Sequence, residues 1–178
     1  ASLPDAVAPA ESALAAPAPS TPPVELVPGV VRGAHERAGR ANDPGYLDID
    51  DSTPRRRDFA TVIEPNDNPA QVVAYEGWFE APADGVYRFA LPLRRPGYTH
   101  LGSFRHAYQA QLRLGGEIVL QIGVAGRVPT GEIHLSAGWY PFSLRLGSSS
   151  ADLTVTYPDG QTLPLTAAKL RRDAALVL

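Results

Sequence analysis

The chain has 178 residues, a net charge of −3, 44 % hydrophobic residues and neither Cys nor Met. Disulfides, thiolate catalysis and Cys-ligated metals are thereby excluded. The mildly acidic balance gives no general attraction to nucleic acid or anionic lipid. The length suits one domain with a sizeable core, or a domain plus an arm. With Gly 16 and Pro 18, the composition favours many short strands and turns over helices. No apolar run approaches the ~20 residues of a spanning helix. A chain without Met does not begin at an initiator, so a processed form or a piece of a longer chain is expected, with any leader already removed.

Residues 1–24 read ASLPDAVAPAESALAAPAPSTPPV. This Ala/Pro arm buries too little apolar surface to offset its own ordering entropy. It is expected to be a linker of polyproline character, or to lie on its own domain or on a neighbouring chain through Leu3, Val7 and Leu14. Residues 25–71 are irregular. Leu26, Val27, Val30 and Val31 predict a first strand, and Phe59, Val62 and Ile63 another short one. Arg55-Arg56-Arg57, flanked by acidic residues, reads as a solvated loop.

From Val72 to Leu91 the pattern sharpens. Val73, Tyr75, Gly77 and Phe79 share one strand face, because successive side chains alternate. Tyr87, Phe89 and Leu91 resume the alternation after Ala81-Pro82-Ala83-Asp84-Gly85, a turn sequence. The expectation is a central β-hairpin. After Ala107, Tyr108, Ala110, Leu112 and Leu114 alternate, Gly115-Gly116 turns the chain, and Ile118, Leu120 and Ile122 follow on one face. Ile133 and Leu135 predict a strand that Ala137-Gly138 breaks. Tyr140, Phe142, Leu144 and Leu146 share a face, as do Leu153, Val155 and Tyr157. Pro158-Asp159-Gly160 turns, and Leu163 and Leu165 close the sheet. Ala167 to Arg172 predicts one helical turn, followed by an apolar tail. Short strands with Gly/Pro turns point to an all-β sandwich or barrel.

Three segments in order resemble the PA-14 (protective-antigen fourteen-kilodalton) domain. Gly77-Trp78-Phe79-Glu80-Ala81-Pro82 with Asp84-Gly85-Val86-Tyr87-Arg88-Phe89 resembles its signature hairpin. Leu112-Arg113-Leu114-Gly115-Gly116-Glu117-Ile118-Val119 resembles its second hairpin, and Gly131-Glu132-Ile133-His134-Leu135-Ser136-Ala137-Gly138-Trp139-Tyr140-Pro141 a strand pair. Pro164 to Leu170 resembles its closing segment. The resemblance covers roughly Val24 to Leu170. It implies an antiparallel β-sandwich in secreted or surface proteins that bind glycans, mediate adhesion or accompany glycosidases and sulfatases. Many glycan-binding members carry an acidic pair after the first hairpin that holds Ca²⁺. This chain has no acidic residue between Asp84 and Glu117. Arg94, Arg95, His100, Arg105 and His106 stand there instead, and cations repel a metal that wants oxygen ligands.

Each candidate site has a plainer alternative. Asp48, Asp50 and Asp51 form the densest carboxylate cluster; a hard cation is one reading, a solvated acidic loop beside Arg55 to Arg57 the favoured one. Glu132 and His134 share a face without a third leg, and read as outward polar positions. Arg94, Arg95, Tyr98, His100, Phe104, Arg105 and His106 make the most individual loop, suited to a protein interface or to sugar stacking. Trp78 and Trp139 sit within strand signatures, where core or rim packing competes with a role as sugar platforms. No nucleophile elbow, phosphate loop or zinc-protease motif is present.

The expected architecture is an arm over 1–24, a PA-14-like antiparallel sandwich over 25–170 and an apolar tail over 171–178. The leading functional expectation is a non-catalytic, extracytoplasmic structural subunit. It would dock onto other proteins through the Arg/aromatic loop, the arm and the tail residues Leu176 and Leu178, and use no cofactor. The alternative is a calcium-independent carbohydrate-binding or adhesion module, with Trp78, Tyr98 or Tyr108 as stacking surfaces, accessory to a secreted glycosidase or sulfatase. Neither expectation involves nucleic acid or a transmembrane segment.

Overall fold

The computed structural model describes residues 16–22, 25–36, 47, 56–66, 68, 71–91, 110–123, 126–128, 130–147 and 151–178. The strands are β1 (Leu26–Pro28), β2 (Val30–Glu36), β3 (Arg56–Ala60), β4 (Gln71–Ala81), β5 (Gly85–Ala90), β6 (Ala110–Leu114), β7 (Glu117–Gly123), β8 (Gly126–Val128), β9 (Thr130–Leu135), β10 (Gly138–Leu146), β11 (Thr154–Thr156), β12 (Thr162–Pro164) and β13 (Arg171–Asp173). A large sheet runs β1-β13-β4-β10-β6-β7-β8, with β2 joining β4 to β3; a small sheet runs β12-β11-β5-β9. Every described ladder is antiparallel. The expected all-β class is what the chain adopts.

The Val72–Leu91 stretch forms its two strands but not the expected hairpin. β4 lies in the large sheet and β5 in the small one, so the turn at Pro82 to Asp84 is an arch between layers. The physical reason lies in the two apolar faces. Side by side they would share one surface; folded over, they bury each other. Phe79 meets Tyr87 edge-on at 5.9 Å and Phe89 at 5.6 Å, an arrangement that adds to simple burial. β9 and β10 repeat the arrangement across Ser136-Ala137, again one strand in each layer. The two arches are tied together, since the Ala137 amide donates to Asp84 Oδ1 at 2.7 Å. True hairpins do occur at Gly115-Gly116, between β6 and β7, and at Pro158 to Gly160, between β11 and β12. Both Gly115 and Gly116 have positive φ, 58° and 88°, the backbone that a two-residue turn between twisted strands requires.

Between the layers Tyr75, Phe79, Tyr87, Phe89, Tyr140, Phe142, Leu112 and Leu144 form one buried cluster. The three tyrosines keep their hydroxyls paired at its margin. Tyr75 Oη accepts from the Glu64 amide at 3.1 Å, Tyr87 Oη donates to Ala83 O at 2.7 Å, and Tyr140 Oη donates to Ser136 O at 2.8 Å. Burial pushes all three phenols up from their ordinary value, so they stay neutral and rivet the arches and turns.

Gly77 marks a change of neighbour. β2 pairs with β4 as far as Glu76, and β13 takes over at Trp78. A Cβ at Gly77 would lie 2.6 Å from Arg171 O, so the seam closes only around a residue without a side chain. Several expectations shift here. Arg56 and Arg57 belong to β3 rather than to a loop, and Val62 lies outside that strand. The helical turn is a single 3-10 turn at Ala167–Lys169, after which residues 171–173, expected in the tail, form β13. Part of the arm rests on its own sheet: the Ser20 amide donates to Trp139 O at 2.9 Å, beside the end of β10 that extends beyond its pairing with β6. Pro17 and Pro19 lie against Gly115 and Gly138. Within this Pro-alternating stretch, Ser20 supplies one of the few donors that the ladder can use.

Candidate binding groove on the large sheet

Alternation sends the odd residues of β4 to the core and the even ones outward. β10 pairs Tyr140 with Phe79 and Leu144 with Tyr75, so its odd residues point out beside them. Two cross-strand rows follow from the register. Val31, Glu76, Ser143 and Arg113 are successive partners across β2, β4, β10 and β6. In the next row Trp78 stands opposite Pro141. Ser143 is short, so the first row dips between Glu76 and Arg113. With strands ~4.8 Å apart, those two Cα atoms are ~10 Å apart.

The dip is a groove of about 420 Å³, lined also by Arg57, Gly116, Arg172, Asp173 and Leu176. Trp78 is half-buried beside it, with its ring outside the apolar cluster between the sheets. The β6–β7 register shifts between Leu112 and Arg113, a bulge that re-aims the side chain carried there. Arg113 Nε donates to Gln111 Oε1 at 3.1 Å, which leaves its terminal nitrogens for another acceptor. Arg172 lies with its guanidinium carbon 3.7 Å from the centre of the Phe59 ring, a cation–π contact that fixes the rim. His35, on the same side as Val31, has a buried Nδ1 without a hydrogen-bond partner. Burial pushes its imidazole down, Glu76 pulls the other way, and Arg145 and Arg57 add to the lowering.

Of the residues that the sequence singled out, the groove holds Trp78 and Leu176. Trp139 is half-buried on the outward side, paired with Glu80 on one flank and Ser20 on the other. Leu178 is 47 % exposed and stands apart from the groove lining. Glu132 and His134 are exposed on β9, and Glu132 pairs with Arg88. Leu3, Val7, Leu14, Asp48, Asp50, Asp51, Arg94, Arg95, Tyr98, His100, Phe104, Arg105 and Tyr108 lie outside the described residues. Among the described residues no three His, Asp or Glu side chains gather as a metal site would require.

Sequence reasoning missed Glu76, Ser143, Arg113, Arg57 and Arg172. Alternation along β4 already sets Glu76 beside Trp78 on the outward face. Joining them to Ser143 and Arg113 needs the strand order β4-β10-β6, which no local signal carries.

No protein-family model and no curated protein matches the chain. Among solved structures it is similar to the A domain of Epithelial Adhesin 9 from Candida glabrata, in complex with Galβ1-3GlcNAc. The TM-score is 0.58 at 11 % identity, over 90 % of this chain and 97 % of that one. The A domain of Epithelial Adhesin 6 from the same organism, in complex with the same disaccharide, gives 0.56 at 8 % identity, over 89 % and 92 %. An anti-sigma factor domain-containing protein from Clostridium clariflavum gives 0.50 at 15 % identity; the match takes in 94 % of this chain and 53 % of that one. At such identities the likeness shows the fold alone, an antiparallel β-sandwich, with which the expected PA-14-like architecture is consistent.

Proposed function

We propose that this domain is a non-catalytic carbohydrate-binding module that works outside the cytoplasm, without Ca²⁺, through the groove beside Trp78. The observation that carries the reading is the groove itself. It sets a half-buried indole beside a short serine, a carboxylate and guanidinium groups. A pyranose has an apolar face and a rim of hydroxyls, and that surface offers one partner to each. The end-to-end likeness to adhesin domains in complex with disaccharides supports the same class of ligand. Independence from Ca²⁺ follows from the segment after β5, which has no acidic residue before Glu117.

Glycan-array binding of the wild type and of Trp78→Ala, each with and without EDTA, is the test. The expected result is retention of saccharides by the wild type in EDTA and their loss from the variant. Absence of binding to any saccharide, or retention unchanged in Trp78→Ala, would sink the proposal. The docking reading has less behind it. The arm, its main support, pairs with its own β10 at Ser20. What favours it is the exposed apolar pair Val177 and Leu178, 88 % and 47 % accessible.

A further inference from the structure

The charge pattern of the groove, taken with the carbohydrate-binding reading on which this inference rests, narrows the ligand. Arg57 stands on β3 and Arg113 on β6, with β2, β4 and β10 between them. Four strand spacings of ~4.8 Å, with an offset of two residues along the strands, place their Cα atoms ~20 Å apart, a span for an oligosaccharide rather than a single ring. Among the described residues neither guanidinium is in an ion pair; the pairs present are Arg32–Asp58, Arg32–Glu64, Arg56–Asp58 and Arg88–Glu132. Arg172 adds a third cation at the rim. Of the two carboxylates lining the groove, Asp173 is engaged, since its Oδ1 accepts the Ala175 amide at 2.8 Å. Glu76 lies between the two arginines in strand order.

We infer that the groove selects a uronate-containing oligosaccharide lying across the strands. Its carboxylates meet the two outer arginines and its neutral hydroxyls lie over Glu76. The planar guanidinium fork matches a carboxylate in two parallel hydrogen bonds. Glu76 carries acceptors alone when ionised, so it takes hydroxyl donors and repels a carboxylate placed at the centre. Trp78 supplies the stacking wall in either case.

Calorimetric titration of the 178-residue chain with tetragalacturonate, a neutral glucan tetrasaccharide and tetraglutamate tests the assignment. The expected result is roughly tenfold or greater preference for tetragalacturonate over the neutral sugar, because charge-assisted hydrogen bonds to the arginines are stronger than neutral ones. The preference should shrink as salt is raised. Arg57→Gln and Arg113→Gln should each erase most of it at unchanged melting temperature, and Arg113→Lys should restore only part. Equal affinity for acidic and neutral sugars overturns the inference and leaves the carbohydrate reading standing. Tetraglutamate bound as tightly as tetragalacturonate overturns it too, because charge alone would then suffice. Failure to bind any saccharide overturns both.

Discussion

The two sheets turn different surfaces to solvent. On the small sheet one outward row runs Thr162, Thr156, Arg88 and Glu132 in register. Its members satisfy one another: the two threonine hydroxyls are 2.7 Å apart, and Arg88 pairs with Glu132. The matching row on the large sheet runs Val31, Glu76, Ser143 and Arg113, with no ion pair among them. Trp78 stands in the row beside it. Both rows are built by the same alternation on the same kind of ladder. The small-sheet row closes its polar groups on one another, whereas on the large-sheet row Glu76 and Arg113 are not paired with each other and, among the described residues, Arg113 reaches only Gln111. On this ground the large-sheet face, rather than a loop, is proposed as the binding surface.

The sharpest way to break the comparison is to undo the frame that holds both faces. A Cβ at Gly131 on β9 would sit 1.7 Å from Val119 O on β7, where the edge strand of the small sheet comes close to the next-to-last strand of the large one. Backbone cannot yield by that much without separating the layers. Gly131→Val is expected to cost ~3–5 kcal/mol or to abolish folding, as the worst backbone and core clashes do. Urea denaturation measures it. A cost below ~1 kcal/mol would mean that the sheets do not meet there and that their faces are not parts of one rigid body.

Trp78→Ala against Val86→Ala sharpens the contrast at the next level down. Both residues point outward, one on each sheet, and Val86 is 50 % exposed. Trp78→Ala should cost ~1–2 kcal/mol of stability for a half-buried indole and at least ~fivefold in saccharide affinity, where stacking is worth about 1 kcal/mol or more. Val86→Ala should leave affinity unchanged and stability within ~0.5 kcal/mol. Affinity electrophoresis on both variants reads this, and equal losses of binding would erase the distinction between the faces.

What was legible beforehand follows the same division. Strand positions came from alternation, and the turns at Gly115-Gly116 and Pro158 to Gly160 from their own chemistry. The layer to which each strand belongs did not. Ala81 to Gly85 carries turn residues, yet the same residues serve an arch as well as a hairpin, and only the packing of Phe79 on Tyr87 and Phe89 decides between them. Trp78 was legible as a possible sugar platform, with core or rim packing set against it because it sits within a strand signature. Its neighbours were not, because Ser143 and Arg113 lie on strands remote in sequence. Arg57 was read as solvated for want of any sign that β3 pairs with β2.

The last contrast sets one ion pair from each sheet against the other, and here the expected effects are smallest. Arg32 meets Asp58 twice, Nε to Oδ1 at 2.8 Å and Nη2 to Oδ2 at 2.6 Å, on the side of β2 that faces the same way as Tyr75. The side chains are 25 % and 28 % exposed. The hydrogen bond from Arg32 is the main reason the Asp58 carboxyl is held below the usual carboxylate range. A depressed folded pKa stabilises fully above the unfolded value of ~3.9 and is lost as pH falls through the folded value. Asp58→Asn should therefore be ~1–2 kcal/mol less stable than the wild type at neutral pH. The gap should close in acid below about pH 4, read by denaturant titrations across pH. Arg88 and Glu132 are 60 % and 51 % exposed, so water and salt screen them. Their double-mutant cycle should return ~0.2–1 kcal/mol, shrinking further in high salt. If that coupling instead exceeds the Arg32–Asp58 coupling, exposure does not rank the pairs. The small sheet would then owe its rigidity to the very row taken above as merely self-satisfied.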